Sequence, residues 1–294
     1  MIGQITNLKF IAILCTILFL VSSSANLLLA HNFSSDESAS FLSLVDQIKS
    51  AVSPIKGDIS SNMTLARNHV QYAKMLLSDN AIKELEERNH RIATELPKML
   101  DSLQNGSVQN ISSALSTINA LIAEAVTARI DKDQLNNSTI QGLTLASDVN
   151  KILDGYMKAF ATVSDNRGGL NNTAVMKMNE DDLMNKGMNI NGTMSLSDLG
   201  AYQRALALTD IVIKRFNKQI NDKGTISNLE PMVNVLDQLK TSLLNKEPPT
   251  NIMTIVHGQI HPNLQTAFGL ELISSPGQMT KNMSKSMPNS MSTS

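Results

Sequence analysis

Residues 67–90 read RNHVQYAKMLLSDNAIKELEERNH. Ahead of the SDN at 78–80, Val70, Ala73 and Leu77 fall three or four apart and continue the line of Ile59, Met63 and Ala66. Beyond it, Ile82, Leu85, Asn89 and Ile92 keep the same spacing towards Leu96, Met99 and Leu103. Spacings of three and four gather side chains on one narrow stripe of an α-helix. A connection as short as SDN folds the second helix back along the first. The stretch therefore predicts an antiparallel helical pair, with Pro97 kinking or ending the second member.

The same seam recurs on both sides. Phe41, Leu44 or Val45, Ile48, Val52 and Ile55 form one, and Val108, Ile111, Leu115, Ile118, Ile122 and Ala125 another. Leu145, Val149, Ile152, Tyr156, Phe160 and Val163 form a fifth, followed by Leu199, Tyr202, Leu206, Ile213, Phe216 and Ile220, then by Leu229, Met232, Leu236, Leu239 and Leu243. Period-2 alternation is nowhere sustained, so strands are not expected. Alternating spacings of three and four favour near-parallel packing at about 20°, the geometry of bundles and antiparallel coiled coils. The fold class is all-α: an antiparallel helical bundle with heptad-like seams.

Two stretches interrupt the pattern. Residues 164–195 accumulate Asn, Gly and Met without an apolar face and read as a linker, and residues 274–294 are a low-complexity, Ser- and Met-rich tail expected to be disordered. The organisation expected is a larger bundle over 34–163, the linker, a smaller helical unit over 196–273 and the tail; one bundle interrupted by one loop is the alternative.

The N-terminus points to export. Lys9 precedes an unbroken apolar run from Phe10 to Val21, and Ser23 and Ala25 fit a signal-peptidase site. Continued through Leu27–Ala30, the segment approaches the roughly 20 residues of a membrane helix. Residues 1–30 are thus a cleaved signal peptide or an N-terminal membrane anchor, and both place the remaining chain outside the cytoplasm, secreted or anchored. The single cysteine, Cys15, lies inside the apolar run, so the exported part carries neither thiol nor disulfide. Glycosylation acceptor patterns occur at Asn32, Asn62, Asn105, Asn110, Asn136, Asn137, Asn171, Asn191 and Asn282. A formal charge of -1 and 3% aromatic residues without Trp argue against a nucleic-acid partner.

Within the opening stretch, a hairpin centred on Asp79 and Asn80 sets His69 level with His90, each about 15 Å from the turn. Glu86 and Glu87 precede His90 by four and three residues on its general face. Glu87-x-x-His90 has the spacing of carboxylate-bridged metal bundles, but Leu65 and Ala66 stand where a second pair would precede His69, which disfavours a di-iron centre. A mononuclear site of His69, His90 and Glu86 or Glu87 remains, with imidazole suiting zinc or copper. The competing expectation is two seam-edge histidines hydrogen-bonded to neighbours.

Residues 255–264, IVHGQIHPNL, hold His257 and His261 four apart. Gly258 occupies the place of the general-base Glu of HEXXH peptidases, and Pro262 predicts a helix break at His261. His31 would become a copper-chelating N-terminus if cleavage followed Ala30. Met176, Met178, Met184, Met188 and Met194 fall in the linker, and Met279, Met283, Met287 and Met291 recur every four residues in the tail. Thioethers are soft ligands that select copper(I), so these clusters are compatible with copper handling. The motifs GxSxG, GxxxxGK[ST] and GxGxxG are absent from the sequence.

The stretches LLLAHNFSSDESASFLSLVDQIKS (27–50) and EERNHRIATELP (86–97) resemble uncharacterised exported helical proteins of ammonia-oxidising archaea. The resemblance covers mainly the first half of the exported chain and implies export and helicity. The function expected is that of a non-enzymatic extracytoplasmic bundle binding an envelope protein or other ligand. Copper or zinc handling through the His and Met clusters, and a structural stalk or coat, are the alternatives.

Overall fold

The computed structural model describes residues 36–106, 111–160, 195–223 and 230–270, and among these every regular element is helical. The first stretch contains α1 (Glu37–Val52), α2 (Ile55–Ser61), α3 (Met63–Leu76), α4 (Asp79–Arg88) and α5 (His90–Gln104). Then come α6 (Ile111–Arg129), the single-turn α7 (Lys132–Leu135), α8 (Ser138–Ala159), α9 (Leu199–Lys223), α10 (Glu230–Leu244) and α11 (Pro249–Ile255). A π-helical turn, Val256–Ile260, joins α11 to α12 (His261–Phe268). The expected N-terminal segment 1–30, nearly all of the linker and all of the Met-rich tail lie outside the described residues.

Short polar side chains set where helices begin. Asp36 accepts a hydrogen bond from the Ala39 N–H (2.9 Å), Asn62 from Leu65 (3.1 Å), Ser78 from Ala81 (3.3 Å) and Asn137 from Thr139 (2.9 Å) and Ile140 (3.2 Å). Each satisfies an N–H that the first helical turn leaves without a partner. Two of these starts break expected seams. The line Ile59–Leu77 is cut at Asn62 (φ -153°, ψ 85°), and Ile82–Leu103 is cut at Asn89 (φ -158°, ψ 95°), which ends α4 and caps α5 by accepting from the Ile92 N–H at 3.4 Å. Pro97 neither ends nor divides α5, which runs helical to Gln104. The loss of one backbone bond is offset there by the buried Ile92, Leu96 and Leu100 flanking the proline.

The helices on the two sides of 161–194 share one core. Leu42, Ile92, Ile122, Ile152 and Tyr156 come from the first side, Phe216 and Met232 from the second, and all are sealed from solvent. The most extensive helix pairing is α8 against α9, and α1 packs on both. The α8–α9 junction is clamped: the N–H groups of Ser197 (2.8 Å) and Asp198 (3.2 Å) and the Ser197 hydroxyl (3.1 Å) all donate to the Ala159 carbonyl. Tyr156 and Tyr202 carry their rings into this core, against Phe160 and each other, and donate their hydroxyls to the Glu247 (2.6 Å) and Leu243 (3.0 Å) carbonyls. Burial pushes both phenols up.

Close contact decides one glycine. A Cβ on Gly142 of α8 would stand 2.6 Å from Cβ and Cγ of Phe268, so α12 reaches α8 only because position 142 has no side chain. Helix α6 has the length and hydropathy of a membrane span, but its Leu115, Ile118, Leu121 and Ile122 are buried in the shared core while Ser112, Ser116, Thr117 and Asn119 face outward. Its apolar stripe is used by the bundle.

Candidate functional site

The structure separates the two histidines of the repeated Arg-Asn-His. Gln71 accepts from Gln104 (2.8 Å) and Lys74 pairs with Asp101 (2.5 Å), an antiparallel α3–α5 register centred between residues 87 and 88 rather than 79 and 80. Helix α4 intervenes, because the chain restarts a helix at Ser78 and again at Asn89. In this register the level opposite His69 falls past the C-terminal end of α5, so His69 and His90 are not paired. His90, the first residue of that helix, has a side chain 77% exposed and binds Glu86 through Nδ1, with Glu87 exposed beside it. A mononuclear site of His69, His90 and Glu86 or Glu87 does not assemble, and among the described residues no group of three or more His, Cys, Asp and Glu gathers around one point.

His69 is instead sealed between α2, α3 and α9. Its Nε2 lies 2.7 Å from Gln203 Oε1 and 3.2 Å from Asp58 Oδ2. Both neighbours are acceptors, so Nε2 carries the proton and Nδ1 is left without a hydrogen-bond partner among the described residues. Gln203 closes the ring by donating to Asp58 Oδ1 at 3.1 Å. Burial, reinforced by the Arg204 charge, holds the imidazole below its ordinary value against the pull of Gln203 and Asp58, and keeps it neutral. Arg204 itself lies 4.1 Å from the Tyr72 ring centre, a cation–π contact at the edge of this cluster.

A second buried cluster joins α1, α8 and α9. Arg215 donates from Nε (2.8 Å) and Nη2 to Asp46 Oδ2, and from Nη1 to Gln141 Oε1 (2.9 Å), whose amide donates to the Leu135 carbonyl (2.8 Å). Asp148 is wholly buried beside them and accepts from Ser43 Oγ at 2.6 Å. Ser147 donates in turn to the Ser43 oxygen (3.0 Å). Burial first, and the Asp46 charge second, push the Asp148 carboxyl well above the usual range; Ser43 and Arg215 oppose this without reversing it. Asp148 Oδ2 and Asp46 Oδ1 have no hydrogen-bond partner from elsewhere among the described residues, although the Lys49 ammonium lies in ion-pair range of Asp46 Oδ1 at 3.6 Å. A proton on Asp148 donated to Asp46 satisfies both oxygens, so the cluster is a hydrogen-bonded carboxyl–carboxylate pair held by the Arg215 guanidinium, with the Lys49 ammonium at its edge. Neither carboxyl reaches solvent, which suits fixing helix register better than turning over a substrate.

The sequence signal for this cluster is faint. Gln141, Thr144 and Asp148 follow the seam spacing of Leu145, Val149 and Ile152, but a polar stripe beside a seam is read as a solvated flank unless its partner helices are known.

The third arrangement is in the π-turn. His261 is 3% exposed and its Nε2 lies 3.1 Å from Asn150 Oδ1; the Nδ1 atoms of His257 and His261 are 3.4 Å apart, with the rings edge to face. The expected break at His261 is absent. Pro262 has no N–H, and its ring would crowd the carbonyl four residues back, at Gly258. The chain resolves this by widening one turn, with the His261 N–H donating to the Val256 carbonyl five residues back, and continues helical.

Searches of the chain against protein-family models, curated proteins and solved structures found no match. A cleft of about 440 Å³ opens at the first turn of α1. Phe41 and Leu44 line its apolar part, and Asp36, Glu37 and Glu84 supply carboxylates. Arg129 binds Glu84, reaches Glu37 at 3.4 Å and lies 5.9 Å from the Phe41 ring centre. The volume falls within the range of small-molecule sites. Three carboxylates against one guanidinium leave an excess of negative charge beside an apolar wall.

Proposed function

We propose that the chain is a non-enzymatic helical bundle acting outside the cytoplasm, secreted or held at the membrane by residues 1–30, and that it binds a ligand or partner at the cell envelope. The observation that carries this is the cleft at the N-terminal end of α1, directly after the export-type segment Lys9–Ala25. Its acidic rim and apolar wall suit a cationic group on an apolar stem, such as an organic ammonium or a Lys or Arg side chain of an envelope protein.

The test is site-specific photocrosslinking in intact cells from Ser40, in the cleft, with a control probe at the exposed Lys151 on α8. A discrete adduct from Ser40 alone, lost in Glu37→Gln/Glu84→Gln and formed on the protease-accessible side of the membrane, supports the reading. No adduct from Ser40, or a chain protected inside the cell, overturns it.

A further inference from the structure

We propose that Asn62 is the attachment site of an N-linked glycan. The inference rests on the reading that the chain is exported, since the sugar is transferred from a lipid carrier on the outer side of the membrane. Three acceptor patterns, at Asn62, Asn136 and Asn137, lie entirely within the described residues. Exposure and hydrogen bonding separate them.

A transferase must reach two groups at once, the asparagine amide and the hydroxyl two residues on. Asn62, Met63 and Thr64 are all exposed. Asn62 stands at the corner where α2 ends and α3 begins, with a non-helical backbone (φ -153°, ψ 85°). Its Oδ1 accepts from the Leu65 N–H at 3.1 Å, which turns the oxygen towards the helix and leaves the nitrogen outward. Neither Asn62 Nδ2 nor the Thr64 hydroxyl has a hydrogen-bond partner among the described residues. The overlapping patterns Asn136-Asn137-Ser138 and Asn137-Ser138-Thr139 share Ser138, the first residue of α8, which is only partly exposed. Asn137 Oδ1 is held by two N–H groups, Thr139 (2.9 Å) and Ile140 (3.2 Å), so its amide is tied to the very residue whose hydroxyl a transferase must engage.

The donor is a sugar carried on an isoprenoid phosphate or diphosphate. Asn62 Nδ2 attacks the anomeric carbon; the new N–C bond forms as the C–O bond to phosphate breaks, one amide proton is lost to a base of the transferase, and the lipid phosphate leaves. Nothing is oxidised or reduced. The reaction changes only the nitrogen, so Oδ1 continues to cap α3 in the modified chain.

Glycopeptide mass spectrometry of the full-length chain, purified from the cells that make it, tests the site, with protease accessibility measured on the same intact cells. The peptide spanning Asn62 is expected to carry an added sugar mass, and the peptide spanning Asn136 and Asn137 none. Asn62→Asp removes the attacking nitrogen and keeps a capping oxygen of equal rank. Thr64→Val removes the hydroxyl from a side chain of the same shape. Each abolishes the addition while circular dichroism shows the helices unchanged. A protease-accessible chain that is bare at Asn62 overturns the proposal and leaves export standing, whereas a bare chain protected inside the cell overturns both. Sugar at Asn136 or Asn137 in place of Asn62, or an addition that survives Asn62→Asp, also overturns the assignment.

Discussion

Replacing Asp148 by Asn probes the buried carboxyl pair without disturbing its shape. The amide presents an oxygen to Ser43 Oγ and an N–H₂ to Asp46, which is the hydrogen-bonding pattern of a protonated Asp148. The wild-type group keeps its proton in the folded state far above the pH, about 3.9, at which it loses it when unfolded. Between those limits the unfolded chain binds fewer protons than the folded one. Each pH unit therefore lowers wild-type stability by up to about 1.4 kcal/mol. The loss begins as pH rises through about 4 and stops once pH passes the folded value.

Asp148→Asn has no such term. It should match the wild type within about 1 kcal/mol near pH 4 and gain on it steadily above. Urea unfolding of both chains, followed by circular dichroism at one-unit intervals from pH 4 to pH 8, reads the difference directly. Taking the difference also removes every group the two chains share. Parallel profiles would show that Asp148 is ionised in the fold and would refute the proton-sharing pair. Arg215→Met is the companion: it leaves the Asp46 carboxylate buried beside Asp148 without its guanidinium and should cost about 3–5 kcal/mol in the same assay.

His69 should act in the opposite sense. Its folded value lies below the ordinary 6.5, so the unfolded chain takes the proton first, and wild-type stability falls relative to His69→Gln by up to about 1.4 kcal/mol per unit as pH drops below about 6.5; equal slopes would place a charged imidazole in the core. Gly142→Ala should destabilise by about 1–3 kcal/mol, because the new methyl meets the Phe268 Cβ at 2.6 Å; a neutral result in thermal melts would mean that α12 is not seated against α8. Replacing residues 161–194 by six Gly/Ser residues should leave the fold intact, since the Ser197 and Asp198 N–H groups already meet the Ala159 carbonyl; loss of cooperative unfolding in urea would overturn the single core.

Much of the fold is legible in apolar spacing, because burying one stripe is what makes each helix stable. The spacing names Phe41, Val45, Ile48, Val52 and Ile55 in the first helices and Met232, Leu236, Leu239 and Leu243 in α10, all buried, whereas in α9 it names Tyr202 and Phe216 but misses the buried Ala201, Ala205, Leu208 and Val212. It fails where a polar residue sits on the seam and can serve either state. Asn62 and Asn89 fall on apolar lines, so periodicity carries a helix through them, yet each caps a new one. The repeated Arg-Asn-His shows the consequence: in mid-helix its histidine is fully buried, and at a helix start the same tripeptide turns its histidine to solvent. The His257–His261 pair was visible as spacing, but the π-turn was not, because Pro262 signals a helix end until packing against α8 and α10 holds the widened turn in place. The Asp46–Asp148–Arg215 cluster spans three helices distant in sequence, and no single seam contains it.

Sulfur is almost missing from the core. Among the described residues Met232 is the only fully buried methionine, while Met63 and Met75 are 44% and 68% exposed. Peroxide adds an oxygen to an accessible thioether and turns an apolar side chain polar, which disrupts a core but not a surface. The bundle thus presents the thioethers of Met63 and Met75 to an oxidant, while Met232 is sealed in the core and Met99, Met157 and Met253 pack partly buried against it. Oxidation at Met63 or Met75 would add its oxygen at the surface, whereas the same change at Met232 would place a polar group inside the core.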